Sequence, residues 1–322
     1  MKTPIFIFSL PRAGSTLLQR MLMAHPEICS HAEPWILLPL CRLNKSEGAV
    51  ADYGYSIGAS AISEFTESLP NGSDDFYKEL RKFSDSLYAK HCKNDERFFL
   101  DKTPRYYYII NEIKRIYPDA KFIFLFRNPV HVMSSMINTW SNGNLKGLYA
   151  YQNDLCFGPV ALSEGFNLLK SNSIAVNYED LVSDPNLVVN SICHYLDIKY
   201  YDSMCLDFSK QVFNGRMGDP TGVSDYKSVS IKTLDKWKLT FNTHVRKKLI
   251  KKYISSMDEK VLEVQGYDKS KVLQDIDLLN SSFRGCFTDI FHLLYCTVVW
   301  LTKANIFFGE TVKRWASKKY LS

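Results

Sequence analysis

The stretch Pro4–His25, PIFIFSLPRAGSTLLQRMLMAH, decides the fold. Ile5, Phe6, Ile7 and Phe8 form an unbroken apolar run, the pattern of a parallel strand covered on both faces. The run breaks at Ser9-Leu10-Pro11-Arg12-Ala13-Gly14, and behind Ser15-Thr16 the residues Leu17, Leu18, Met21 and Leu22 recur at helical spacing. A strand, a glycine-containing turn and a helix N-terminus together make an anion cradle. Gly14 lets the backbone approach a ligand, free amides and the positive end of the helix meet its charge, and the Ser15 and Thr16 hydroxyls add donors. Arg12 is placed to stabilise charge on a transferred group or a leaving oxygen. The turn is not a Walker A loop, which needs an earlier glycine and a lysine before the hydroxyl pair. An ordinary strand–helix turn capped by Ser or Thr stays open as the competing reading.

A second stretch, Ala120–Met136, repeats the design: AKFIFLFRNPVHVMSSM. Phe122–Phe126 reads as a buried parallel strand, Arg127 stands at its end, Asn128 suits an N-cap and Pro129 the first helical position. A strand-end arginine and a serine eight residues on, Ser135, can clamp one phosphate between them. Arg127 paired with a structural carboxylate fits equally well in isolation. His131 reads as helix surface or packing.

Between these stretches lie two further candidates. Glu33, in His31-Ala32-Glu33-Pro34-Trp35, sits a loop's length past the cradle and suits a general base or, more plainly, a solvated loop glutamate. Trp35–Leu40 is apolar and ends in a Pro-containing turn. Arg97–Leu100 reads as a short strand with Asp101-Lys102-Thr103-Pro104 at its carboxyl end, where ligands of open α/β sheets bind. Lys102 there is either a surface lysine or a cation for developing negative charge. Residues 44–95 read as a helical excursion, a lid or acceptor pocket or simply packing.

Hydrophobic residues make up 46% of the 322-residue chain and charged ones 23%, which suits one α/β domain with insertions. The net charge of +6 mildly favours an anionic ligand, and solvating lysines explain most of it. Nothing points to nucleic acid. The eight cysteines are scattered without C-x-x-C pairs, which predicts reduced thiols, no zinc site and a cytoplasm-like compartment. The first strand starts by residue 4, so no signal peptide or N-terminal anchor is expected.

The two phosphate-reading stretches, in this order and about 115 residues apart, resemble one family. PRAGSTLL resembles the 5′-phosphosulfate loop of sulfotransferases, and FIFLFRNPVHVMSSMI resembles their 3′-phosphate signature. The resemblance covers roughly residues 4–240. It implies a three-layer P-loop-like α/β fold, a central parallel sheet flanked by helices, binding 3′-phosphoadenosine 5′-phosphosulfate (PAPS), with the 3′,5′-bisphosphate (PAP) as product and no metal. It implies that Arg12, Ala13, Gly14, Ser15 and Thr16 hold the 5′ end and Arg127 and Ser135 the 3′-phosphate. Tyr178 matches the family's tyrosine between strand and helix, and Ser230 lies in a late region of further donor contacts. Glu33 is spaced from Arg12 like the base of the tyrosylprotein and carbohydrate branches, and Lys102 resembles the leaving-group lysine of the former. The sequence departs from the family in Ala13, where serine is usual, in Ser15 for threonine, and in the absence of paired glutamates at His31-Ala32-Glu33. Tyrosine in a protein is therefore not implied as acceptor; a small molecule, glycan or lipid fits as well.

The expected division is a sulfotransferase domain over 1–270 and a helical apolar and basic tail over 271–322. Within the tail, residues 283–308 are apolar with basic flanks; their strongest run, Leu293–Leu301, is too short to span a bilayer, Asp289 and His292 interrupt a longer one, and the segment suits docking on the core, a membrane surface or self-association. Two other functions stay open. One is an ATP-dependent small-molecule kinase, for which Asp101 is the metal-binding candidate; the other is a non-catalytic nucleotide-binding protein.

Overall fold

The computed structural model describes residues 2–45, 54–211 and 231–302. Five strands form one parallel sheet: β1 (Thr3–Ser9), β2 (Ile28–Ser30), β3 (Phe98–Asp101), β4 (Lys121–Phe126) and β5 (Ser173–Asn177), in the order β2-β3-β1-β4-β5. The apolar runs are the reason. Ile5 to Phe8 and Phe122 to Leu125 are fully buried, and register pairs Phe6 with Phe122 and Phe8 with Phe124. Their rings pack together, Phe6 stacked on Phe122 at 6.1 Å and Phe8 tilted against Phe124 at 5.1 Å.

The chain leaves β1 for β2 on one side of the sheet and passes from β3 to β4 and β5 on the other. With right-handed crossovers, the connecting helices fall on opposite faces, which gives three layers. Helix α1 (Ser15–Met23) covers one face. The helices α5 (Ile110–Ile116) and α7 (Gly158–Leu169) cover the other and touch each other. The reversal of direction occurs around β1, so the carboxyl ends of β3, β1 and β4 frame the crevice in which such sheets bind ligands.

The segment 28–30, where no strand is expected from the sequence, is an edge strand paired in parallel with β3. Trp35–Leu40 likewise ends in a helix, α2 (Leu37–Cys41), that takes in Pro39. The excursion is helical: α3 (Tyr55–Glu67) and α4 (Ser73–His91) lie between β2 and β3. Tyr88 of α4 stacks on Phe99 of β3 at 4.0 Å. The expectation of uniformly reduced thiols is corrected here. Cys29 of β2 and Cys92 at the end of α4 form a disulfide across 63 residues, beside Glu96. Six other cysteines are free.

The chain divides into two compact units, Met1–Asn128 with Gly158–Ile231, and Pro129–Phe157 with Lys232–Ser322. The first holds the sheet and, after β5, α8 (Tyr178–Ser183), α9 (Pro185–Leu196) and α10 (Ser203–Leu206). The second holds α6 (Pro129–Trp140), α11 (Lys236–Thr240), α12 (His244–Ser256), α13 (Glu259–Val264), α14 (Lys269–Asp277) and α15 (Cys286–Thr302). The expected 270/271 boundary falls inside this second unit. Among the described residues no helix is long and apolar enough to cross a membrane.

Candidate active site

Three strand ends in the first unit supply the site. At the end of β1 the backbone turns through two left-handed residues, Arg12 (φ 66°) and Gly14 (φ 95°). A non-glycine residue there costs roughly 1–3 kcal/mol and persists where the surroundings dictate it. A side chain on Gly14 would also collide with the Tyr178 ring, so only glycine fits the turn. The Ala13 amide is spent on Leu10 O at 3.2 Å, whereas the Ser15 and Thr16 amides precede the first possible i→i−4 bond of α1. They are the ones an anion would meet.

At the end of β4, Arg127 lies over the Tyr178 ring, 4.2 Å from its centroid, and its Nη1 donates to the Arg12 carbonyl at 2.8 Å. The two arginines predicted to read phosphate are thus braced together across 115 residues. Arg127 Nε is buried with no hydrogen-bond partner. A buried, unsatisfied guanidinium N–H calls for an acceptor that a phosphate would supply.

At the end of β3, Lys102 is almost fully buried, and its Nζ donates to Glu33 Oε1 at 2.8 Å and towards Thr16 Oγ1 at 3.4 Å. This one ammonium joins the expected base, the expected leaving-group cation and the cradle hydroxyl. Glu33 Oε2 also accepts from Trp35 Nε1 at 3.1 Å, and Trp35 itself is left-handed (φ 56°) with its amide donating to Thr103 Oγ1. Each carboxylate oxygen keeps a second lone pair for a proton.

Several supports are not apparent in the sequence reading. Gln19, fully buried on α1, donates to Ser30 Oγ, His31 O and Ala32 O at 2.8, 2.7 and 3.3 Å, and so holds the strand end that carries Glu33. Asp101, fully buried, accepts from Tyr88, Tyr106 and Thr103 hydroxyls at 2.7, 3.1 and 3.2 Å. Burial pushes its carboxyl up to about 6 against the pull of those donors and Lys102. With its oxygens committed to three hydroxyls and no exposure, Asp101 does not fit the metal-binding acid of a kinase. The Asn128 amide donates to Glu179 Oε1 at 3.1 Å. His131 stacks on Trp237 within the second unit, a packing role as expected.

Ser135 and Ser230 are the remaining predicted donor contacts. Ser135 lies on α6 in the second unit. Ser230 lies outside the described residues.

Comparisons with known proteins bear on the family and the fold. The nodulation protein NoeE of Sinorhizobium fredii (strain NBRC 101917 / NGR234) is 36% identical over 137 residues, 42% of this chain and 31% of that one. A putative protein-tyrosine sulfotransferase of Caenorhabditis briggsae is 25% identical over 292 residues, 85% of this chain and 92% of its own length. The chain therefore spans about a third of the first relative and nearly all of the second. Among solved structures, the sulfotransferase domain from the curacin biosynthetic pathway superposes with TM-score 0.51 at 20% identity, over 83% of this chain and 97% of that domain, a likeness of fold. The model of the sulfotransferase family matches residues 4–202 without leaving out any of the strand-end side chains above, and the chain belongs to that family.

Proposed function

We propose that the donor is PAPS and that Glu33 is the general base for a hydroxyl (or amine) acceptor. The observation that carries this reading is the Lys102 ammonium held between Glu33 and Thr16. The residues fit the donor in that the buried Arg127 Nε lacks the acceptor a phosphate would supply. When bound, PAPS supplies an activated sulfuryl group on a phosphate leaving group.

The protein's own groups do the rest. Ser15 and Thr16 amides and the Arg12 guanidinium would hold the 5′ end, and Arg127 the 3′-phosphate, with Ser135 and Ser230 assigned from sequence alone. Glu33 would take the acceptor proton, while Lys102 and Arg12 would steady charge on the departing side. Fixed cations and placement account for the rate, as they do in phosphoryl transfer. The acceptor class is a small molecule, glycan or lipid. The names of the nematode and vertebrate relatives mention protein tyrosine, but the paired acids expected for peptide acceptors are missing at His31-Ala32.

The test is Glu33→Gln, which keeps the shape and the Trp35 bond and removes the basicity. Turnover in a radiolabelled sulfate-transfer assay should fall by about 10²–10⁴-fold, with the melting shift caused by PAP unchanged. Retained turnover, or loss of PAP binding in place of turnover, overturns the assignment.

A further inference from the structure

The helix α15 is inside out. Its outward side chains Phe287, Phe291, Leu294, Val298 and Leu301 are 90, 62, 61, 58 and 66% exposed, and at helical pitch they fall within about 80° of arc. The opposite side carries Asp289, His292, Cys296 and Val299, all buried. Asp289 there pairs with Arg246 at 2.9 Å and accepts from Thr243 at 2.7 Å, and Cys296 Sγ donates to Leu145 O at 3.0 Å. A surface helix of a soluble protein does the reverse, with its apolar stripe inward. The buried ion pair fixes the rotation of α15, so the apolar face cannot be turned in by a small rearrangement.

The patch is large for a monomer. Three exposed phenylalanines, Phe283, Phe287 and Phe291, at roughly 150–250 Å² each, already match the roughly 300–600 Å² of a typical largest patch. Its flanks are cationic. Arg284 is exposed ahead of the helix, and the sequence 303–322 holds Lys303, Lys313, Arg314, Lys318 and Lys319 against a single acid, Glu310. The only charge within α15 is the inward Asp289. The sequence is basic on both sides of this apolar helix, a charge pattern that opposes a second copy and complements an anionic lipid surface. At 17 residues the helix is shorter than a bilayer span.

We infer that α15 is an interfacial anchor that lies in the plane of an anionic membrane with Phe287, Phe291, Leu294, Val298 and Leu301 among the acyl chains. The full chain should float with vesicles of phosphatidylcholine and phosphatidylserine, bind phosphatidylcholine alone weakly, and lose binding in high salt. Phe287→Ser and Phe291→Ser should each lower partition by about tenfold or more, with circular dichroism, melting temperature and sulfate transfer to a soluble acceptor unchanged. Lys318→Glu/Lys319→Glu should weaken binding to the mixed vesicles only. Failure to bind either vesicle, equal binding by the phenylalanine variants, or binding indifferent to lipid charge and salt overturns the inference. So does a concentration-dependent dimer in lipid-free sedimentation that Phe287→Ser abolishes, which would assign the face to a second copy.

Discussion

Replacing Lys102 by methionine separates a catalytic cation from a structural one. The side chain is 1% exposed, and oxygen neighbours of its ammonium include Glu33 at 2.8 Å and Thr16 at 3.4 Å. Methionine fills much the same volume without charge, so packing against β3 is kept and the electrostatic part is isolated. Two losses are expected. Glu33 loses a charge-assisted hydrogen bond but keeps the one from Trp35, and its side chain is 10% exposed, so water can compensate in part. The stability change should be small, about 1–3 kcal/mol, and not the 3–5 kcal/mol of a charge stranded in a dry core. Turnover should suffer more. Removing one fixed donor from a site of developing charge costs about 10²–10³ in kcat. The assay is sulfate transfer measured at saturating donor, beside chemical denaturation. A Lys102→Met enzyme with near-normal kcat and a several-kcal/mol loss of stability would refute the reasoning and make the ion pair a folding element. In the cycle with Glu33→Gln, non-additive rate losses are expected, since both act on one reaction.

Gln19→Leu leaves the His31 and Ala32 carbonyls without their donor; kcat should fall about tenfold or more with PAP binding unchanged, and Gln19→Glu should not rescue it. Asp101 is raised from 3.8 to about 6 by burial, so between these values the folded chain holds a proton that the unfolded chain releases. The Asp101 contribution to stability therefore falls by about 3 kcal/mol as pH rises from 4 to 6 and is flat above. The difference between wild type and Asp101→Asn, followed by denaturant titration at each pH, should carry that slope, and a difference independent of pH refutes the assignment. Alkylation in denaturant should label six of the eight cysteines before reduction and all eight after. Cys29→Ser should cost up to about 4 kcal/mol, the loop entropy of a 63-residue closure.

The sheet was readable because its signals are local. The apolar runs Ile5–Phe8 and Phe122–Phe126 leave little choice of element, and Arg12 and Arg127, which follow them, stand at the sheet's carboxyl edge. The topology then brings them together, and the 2.8 Å bond from Arg127 to the Arg12 carbonyl follows from two strands being neighbours. Lys102 was readable for the same reason, at the end of β3. The edge strand β2 was not, since three residues with Pro26 just ahead carry no period long enough to detect.

What stayed hidden depends on contacts between distant segments. Gln19 reads as one polar residue on a mostly apolar helix, and only the fold shows that its amide meets three acceptors around His31. Asp101 reads as a loop acid at the usual place for a metal ligand, and only the arrival of Tyr88 from α4 and Tyr106 from the turn after β3 turns it into a buried hub. The pairing of Cys29 with Cys92 needs the same docking of α4 on the sheet edge. These hidden contacts share a direction: Tyr88 grips Asp101, Cys92 grips Cys29, and Gln19 grips the segment after Cys29, so all three hold the carboxyl ends of β2 and β3 from which Glu33 and Lys102 project. The charges of the site are written in motifs, whereas the rigidity that keeps a carboxylate 2.8 Å from an ammonium is supplied by the segment inserted between β2 and β3 and by one amide of α1.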